Sequence, residues 1–203
     1  MNNSLNTETS ITYKEIFLNA FPEVLKDDVI IVLGILPLNI NTIPFTSSEL
    51  TVKFNNNLLN IPYRIHFNKP YPSVMSQLTR TQKIILNCIY LRHHDGYVRQ
   101  RRLEELAGVN ENWIIPHTLQ LLGEYVLEIL QILNKVITHE NIQYYRQFIK
   151  DNPKYWRQTV SRMISYWDCY YRRKGFQHNR QRVFPILKDY PGKQIIDRLE
   201  NKT

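Results

Sequence analysis

Glycine and cysteine are scarce in this sequence, and each shortage excludes something. The six glycines are Gly34, Gly96, Gly108, Gly123, Gly175 and Gly192. They lie too far apart for a GxGxxG turn or a GxxxxGK loop, which need several glycines in one loop so that backbone N–H groups can close on phosphate. The two cysteines, Cys88 and Cys169, form no CxxC pair. That argues against a disulfide-built secreted scaffold or a cysteine zinc site, and it suits a reducing, cytoplasmic setting. Long apolar runs are missing as well. The longest uncharged stretch, residues 29–48, is interrupted by Pro37 and Pro44 and ends in polar residues, so no membrane span is expected. Residues 1–10 hold neither a basic residue nor an apolar run, unlike a secretory signal, and they predict a short disordered tail.

What the sequence does have is a basic excess, with 26 Lys and Arg against 18 Asp and Glu and a formal net charge of +8. The excess is local. Residues 1–138 carry 12 basic and 12 acidic residues, whereas 139–182 carry ten basic residues against Glu140, Asp151 and Asp168. The same segment holds ten aromatics: Tyr144, Tyr145, Phe148, Tyr155, Trp156, Tyr166, Trp167, Tyr170, Tyr171 and Phe176. Cations interleaved with aromatic rings suit a phosphate backbone with exposed bases. Four of those rings, Phe148, Trp156, Trp167 and Tyr171, fall at helical spacing on apolar faces and read as core.

Apolar periodicity gives most of the chain to helix. Tyr13, Ile16, Phe17, Ala20 and Phe21 recur at three and four and predict a helix over 11–21, stopped by Pro22. The β-branched run 29–33 fits a buried strand, and 50–54 and 58–67, on either side of Asn55-Asn56-Asn57, predict a hairpin. In the second arm Tyr63, Ile65 and Phe67 alternate with Arg64 and His66, and Pro62 belongs at a strand's edge or start. Thr79 and Gln82 make a capping box ahead of Ile84, Ile85, Cys88 and Ile89, in a helix that Asp95-Gly96 would end. A second helix follows over 98–107. A third is predicted from Pro116 to Ile137, polar only along a stripe through His117, Gln120, Glu124, Glu128, Gln131 and Lys135, and therefore central in a bundle. Thr138 would cap a fourth. Asn152-Pro153 opens a fifth, with Trp156, Val160, Met163, Ile164, Trp167 and Tyr171 facing inward, and the last starts near Lys193 after Tyr190-Pro191-Gly192. The fold class is α+β, mostly α: a small α/β part with a hairpin over 11–76, packed on a helical bundle over 77–203.

Three functions follow from these residues, and no cofactor is required by any motif. The first is a non-enzymatic, soluble protein that holds an anionic partner, nucleic-acid backbone above all, through 139–182. Lys154, Arg157, Arg172, Arg173, Lys174, Arg180 and Arg182 would contact phosphates, with Tyr170 or Phe176 stacking on bases. The second is a protein–protein adaptor or assembly subunit using a Trp, Tyr and Arg patch. The third is a metal-dependent enzyme. Glu124 and Glu128, four apart on one helix, would work as acid and base or hold a cation, and His93, His94 and Asp95 would be ligands. Adjacent histidines diverge by about 100° on a helix, and Arg99, Arg101 and Arg102 are equally suited to pair with the two glutamates. A helix-turn-helix over 103–122 fails on chemistry, because its second helix would open Trp113-Ile114-Ile115-Pro116 and carries no Lys or Arg before Lys135.

Overall fold

The computed structural model describes residues 15–38, 49–172 and 186–201. The expected tail, 1–10, lies outside them. Helix predominates, and the described residues contain one two-stranded antiparallel sheet, so the class is α+β, mostly α. Among the described residues no helix is long and apolar enough to cross a membrane. The chain divides into two compact units, 1–106 and 107–203.

In the first unit, residues 15–18 form a helical turn that buries Phe17, Ala20 and Phe21. Pro22 leads through a 3₁₀ turn, Glu23–Leu25, into helix α1, Lys26–Ile35. This corrects the strand expected over 29–33. Asp27 and Asp28 sit in the first turn, where the helix dipole favours carboxylates. Leu25, Val29, Val32, Leu33 and Leu36 are buried at three- and four-residue spacing, while Ile30 and Ile31 are exposed. The β-branched residues lose only tenths of a kcal/mol each in a helix (about 0.5), less than burying one full face returns. Asp28 accepts a hydrogen bond from Gln82 at 2.8 Å, which ties α1 to the next long helix.

Strands β1, Glu49–Phe54, and β2, Asn57–Pro62, pair antiparallel with Val52 opposite Leu59 and Phe54 opposite Asn57. Asn55 adopts φ 51°, a left-handed turn conformation that asparagine tolerates. The second arm is shorter than the expected 58–67 because Pro62 ends the ladder. The chain continues extended, and Ile65 bridges in parallel to His93: its N–H donates to the Arg92 carbonyl at 2.9 Å and its carbonyl accepts from His94 at 3.0 Å. Ile65 and Phe67 are buried and His66 is exposed, as the alternation required, while Tyr63 and Arg64 are both half-buried.

Helix α2, Arg80–Tyr90, begins with the expected capping box. Thr79 Oγ1 accepts from the Gln82 N–H at 3.3 Å and Gln82 Oε1 from the Thr79 N–H at 3.0 Å. It buries Ile84, Ile85, Leu86, Cys88 and Ile89 and stops at Tyr90. Asp95-Gly96 therefore does not end α2. Asp95 instead caps α3, Gly96–Glu104, accepting from the Tyr97 N–H at 2.9 Å.

In the second unit the single helix expected from Pro116 to Ile137 is broken. A 3₁₀ turn, Asn112–Ile114, leads into α4, Ile115–Leu119, with Pro116 in its first turn; a 3₁₀ turn, Gln120–Gly123, follows, and α5 spans Leu127–Val136. Glu124 between them is extended, with φ −103° and ψ 159°. Gly123 weakens the helix at this point. A Cβ there would sit 3.6 Å from Arg162 Cβ, so the neighbouring helix packs against the break. Both halves still bury apolar faces, Ile115, Leu119, Leu121 and Leu122 before the break and Ile129, Leu130 and Leu133 after it.

Helix α6, Ile142–Asp151, starts after a joint made by Asn141 rather than by the hydroxyl of Thr138. Asn141 accepts from the Thr138 N–H and donates to the Val136 carbonyl, both at 2.9 Å. Pro153 stands in the first turn of α7, Pro153–Trp167, as the sequence predicts for a donorless residue. Helix α8, Pro191–Glu200, starts two residues before the expected Lys193, with Pro191 in its first turn and not in a preceding turn. Asn152 turns back to donate to the Phe148 carbonyl at 2.9 Å and does not cap α7. Trp156, Met163 and Trp167 of α7 are buried, as are Ile195, Ile196 and Leu199 of α8.

Candidate nucleic-acid interface

The 15-residue helix α7 contains no acidic residue. Lys154, Arg157, Ser161 and Ser165 recur at three and four along its solvent side and are all exposed, opposite buried Tyr155, Trp156, Thr159 and Met163. After Trp167 the helix widens into a π-helical turn, Asp168–Arg172. From Lys154 to Arg172 the cations extend over about 27 Å at 1.5 Å per residue. Arg172 reaches Asp168 Oδ1 at 2.8 Å and lies 5.6 Å over the Trp167 ring. Both partners of that ion pair are exposed, so water and salt keep it weak, and it holds Arg172 in place without cancelling its attraction for an anion. Arg162 and Lys150 are exposed as well. Arg146 belongs to the packing, donating to the Arg198 carbonyl at 2.7 Å. Arg173, Lys174, Phe176, Arg180 and Arg182 lie outside the described residues.

One turn beyond Arg162, on the same side of the helix, is a group of tyrosines that the sequence did not reveal as one. Tyr170, 53% exposed, stacks on Tyr125, 47% exposed, with ring centroids 5.3 Å apart and planes 29° apart. Tyr166 completes the group, 5.7 Å from Tyr125 and 6.1 Å from Tyr170. The Tyr171 hydroxyl donates to the Tyr125 carbonyl at 2.7 Å, and its ring meets Tyr190 at 5.1 Å. Phe148, Trp156 and Trp167 are buried, in keeping with their apolar spacing, whereas Tyr171 is only half-buried. Tyr125 went unrecognised because in an unbroken helix it would have been one more residue of the apolar side. The one local hint was Gly123 two positions earlier, which by itself does not separate a break from a glycine tolerated inside a helix.

A concavity of about 340 Å³ runs beside α7 and is lined by Trp156, Arg157, Val160, Ser161, Ile164, Ser165 and Glu200. The Trp156 Nε1–H donates to Glu200 Oε1 at 2.9 Å, and Ile164, expected inside, is 40% exposed. The groove shares Arg157, Ser161 and Ser165 with the cationic strip, so Glu200 sets one carboxylate beside that strip.

The candidates for acid–base and metal chemistry do not assemble as expected. The break puts Glu124 in a buried, extended position and Glu128 on the exposed first turn of α5, so the two carboxylates do not share one helix face. In the first unit both nitrogens of His93 are engaged, Nδ1 accepting from the Asp95 N–H at 3.1 Å and Nε2 donating to the Phe67 carbonyl at 3.2 Å. Burial, reinforced by the neighbouring His94, holds its pKa below the ordinary histidine range. His94 is exposed and lies between the rings of His93, at 4.3 Å, and His66, at 5.2 Å. Asp95 is occupied as a cap. Arg99 and Arg102 make hydrogen bonds in the first unit. Arg99 donates to the His93 and His94 carbonyls at 2.7 and 2.9 Å, and Arg102 to Asn87 Oδ1 at 2.9 Å. Among the described residues no three His, Cys, Asp or Glu side chains are grouped to hold a metal ion.

No family model matches the chain, and neither a curated protein nor a solved structure matches it.

Proposed function

We propose that this is a non-enzymatic, cytoplasmic protein that binds nucleic acid by its phosphate backbone, without strong sequence preference, through the 139–182 segment. The observation that carries the proposal is the outward strip of α7, an acid-free helix on which Lys154 and Arg157 are followed by the hydroxyls of Ser161 and Ser165, with Arg172 beyond in the π turn beside Asp168. Cations in that array release condensed counterions when they meet phosphates, and serine hydroxyls add positioning hydrogen bonds.

The test is fluorescence anisotropy with a labelled duplex across a salt series. If about five phosphates are neutralised, log affinity falls against log salt with a slope of about −4 to −5. Replacing Lys154 and Arg157 together by alanine weakens binding and makes the slope shallower by about 2. Absence of binding at low salt, or binding indifferent to salt, refutes the proposal. The groove floored by Trp156 and exposed Ile164 favours a protein adaptor as the second reading. A stoichiometric protein partner that survives nuclease treatment would support it.

A further inference from the structure

We infer that the nucleic acid taken by this surface is single-stranded, with a base stacked on the exposed face of the Tyr170–Tyr125 pair. This inference rests on the backbone reading above and names its substrate class. Three tyrosine rings gathered one turn beyond Arg162 leave about half of Tyr125 and of Tyr170 in water. A flat ring pair of this kind offers nothing to a duplex, whose base faces are already stacked on one another. It offers a π-face to any unpaired base, and such stacking tolerates every sequence. Charge complementarity selects the occupant. Arg162, exposed and four residues before Tyr166, shares that residue's side of the helix, and its side chain lies against Gly123, where a Cβ would sit 3.6 Å from Arg162 Cβ and Cδ, two residues before Tyr125. An apolar protein segment would gain nothing from that guanidinium, whereas a strand's phosphate beside a stacked base would.

The pair is also preset. Tyr125 is fixed at its carbonyl by the Tyr171 hydroxyl, and Tyr170 is carried by the π-helical turn. The rings are therefore ordered before a strand arrives, so less conformational freedom is lost on binding.

The experiment compares a fluorescein-labelled oligo-dT strand of about 20 nucleotides with a duplex of the same length, at fixed low salt, using the full chain. Wild type binds the strand about tenfold more tightly than the duplex. Tyr170→Ser lowers strand affinity by about fivefold or more and leaves duplex affinity unchanged, and Tyr170→Trp restores strand binding. Equal affinity for strand and duplex, unaltered by Tyr170→Ser, overturns the inference while leaving the backbone reading intact. Equal losses in Tyr170→Ser and Tyr170→Trp overturn it as well, since they assign Tyr170 a merely structural role. Failure to bind either probe refutes the backbone reading and the stacking with it.

Discussion

Substituting Gly192 by alanine tests the packing of α8 on α7. Gly192 is the second residue of α8 and is buried. A Cβ there would lie 2.7 Å from Met163 Cγ, 3.0 Å from Met163 Sδ and 3.1 Å from Tyr190 Cε1. Non-bonded carbons pack best at about 3.5–4.0 Å, so the new methyl overlaps Met163 by about 1 Å. Met163 is fully buried. Overpacking of this size costs about 1–3 kcal/mol. Alanine's helix propensity returns at most about 1 kcal/mol, and less in a first turn. The net expectation is a loss of about 1–2 kcal/mol, read as a urea midpoint lower by about 0.5–1 M at unchanged slope. Tryptophan emission reports this unit selectively, because Trp113, Trp156 and Trp167 all lie in 107–203. A double-mutant cycle adds a sign test. Met163→Ala alone costs about 2–5 kcal/mol, and in that background the Gly192→Ala methyl enters the vacated space and loses most of its penalty. A neutral or stabilising Gly192→Ala in the wild-type background, or an undiminished penalty beside Ala at 163, refutes the account.

Three further outcomes are expected. Thr79→Ala removes one half of the capping box on α2 and costs about 0.5–2 kcal/mol, seen as a lower unfolding midpoint by far-ultraviolet circular dichroism; an unchanged midpoint contradicts it. A thiol reagent added to the native protein labels Cys169, which is exposed, while fully buried Cys88, whose thiol burial pushes well above its ordinary pKa, reacts only after denaturant is added. Rapid labelling of both in the native state would count against the placement of α2. His93, held neutral by burial and by His94, is protonated more readily in the unfolded chain. Its contribution is therefore flat above the unfolded histidine pKa of about 6.5 and destabilises the fold as pH falls below it. Urea midpoints at several pH values should show that decline, and His93→Gln should flatten it by about one proton; an identical slope in the variant refutes the assignment.

Where one segment's own chemistry decides, the structure was legible in the sequence. The Thr79–Gln82 box, the asparagine turn of the hairpin and the first-turn proline Pro153 are local devices, and each stands where its residue type predicts. The run Val29-Ile30-Ile31-Val32 was misread because a stretch that is apolar on all sides shows no period. Its helical state came from Asp27 and Asp28 before it and from Gln82, 54 residues away. Asp95-Gly96 was ambiguous, since Asp can cap the start of one helix where Gly would end another. The cationic strip of α7 could be read from helical spacing, but the tyrosine group could not. Tyr125 reaches Tyr170 only because the helix stops after Gly123, and nothing local distinguishes that glycine from one tolerated inside a helix.

The break and the π turn are best understood as one device. Ending the helix at Gly123 leaves the Tyr125 carbonyl outside any helical ladder, and the acceptor is satisfied by the Tyr171 hydroxyl, 46 residues on. A π turn closes on i+5 rather than i+4 and so rotates its residues relative to the α-helix before it. The turn Asp168–Arg172 carries Tyr171 to the Tyr125 backbone while Tyr170 lies on the Tyr125 ring. A hydrogen bond at the surface contributes about 0.5–1.5 kcal/mol net, too little to account for two departures from α-helix on stability alone. π-bulges and irregular helix ends recur at functional sites for the same reason: they place side chains that a regular helix would point elsewhere. What the two irregularities yield here is position, with two aromatic rings held together at the surface.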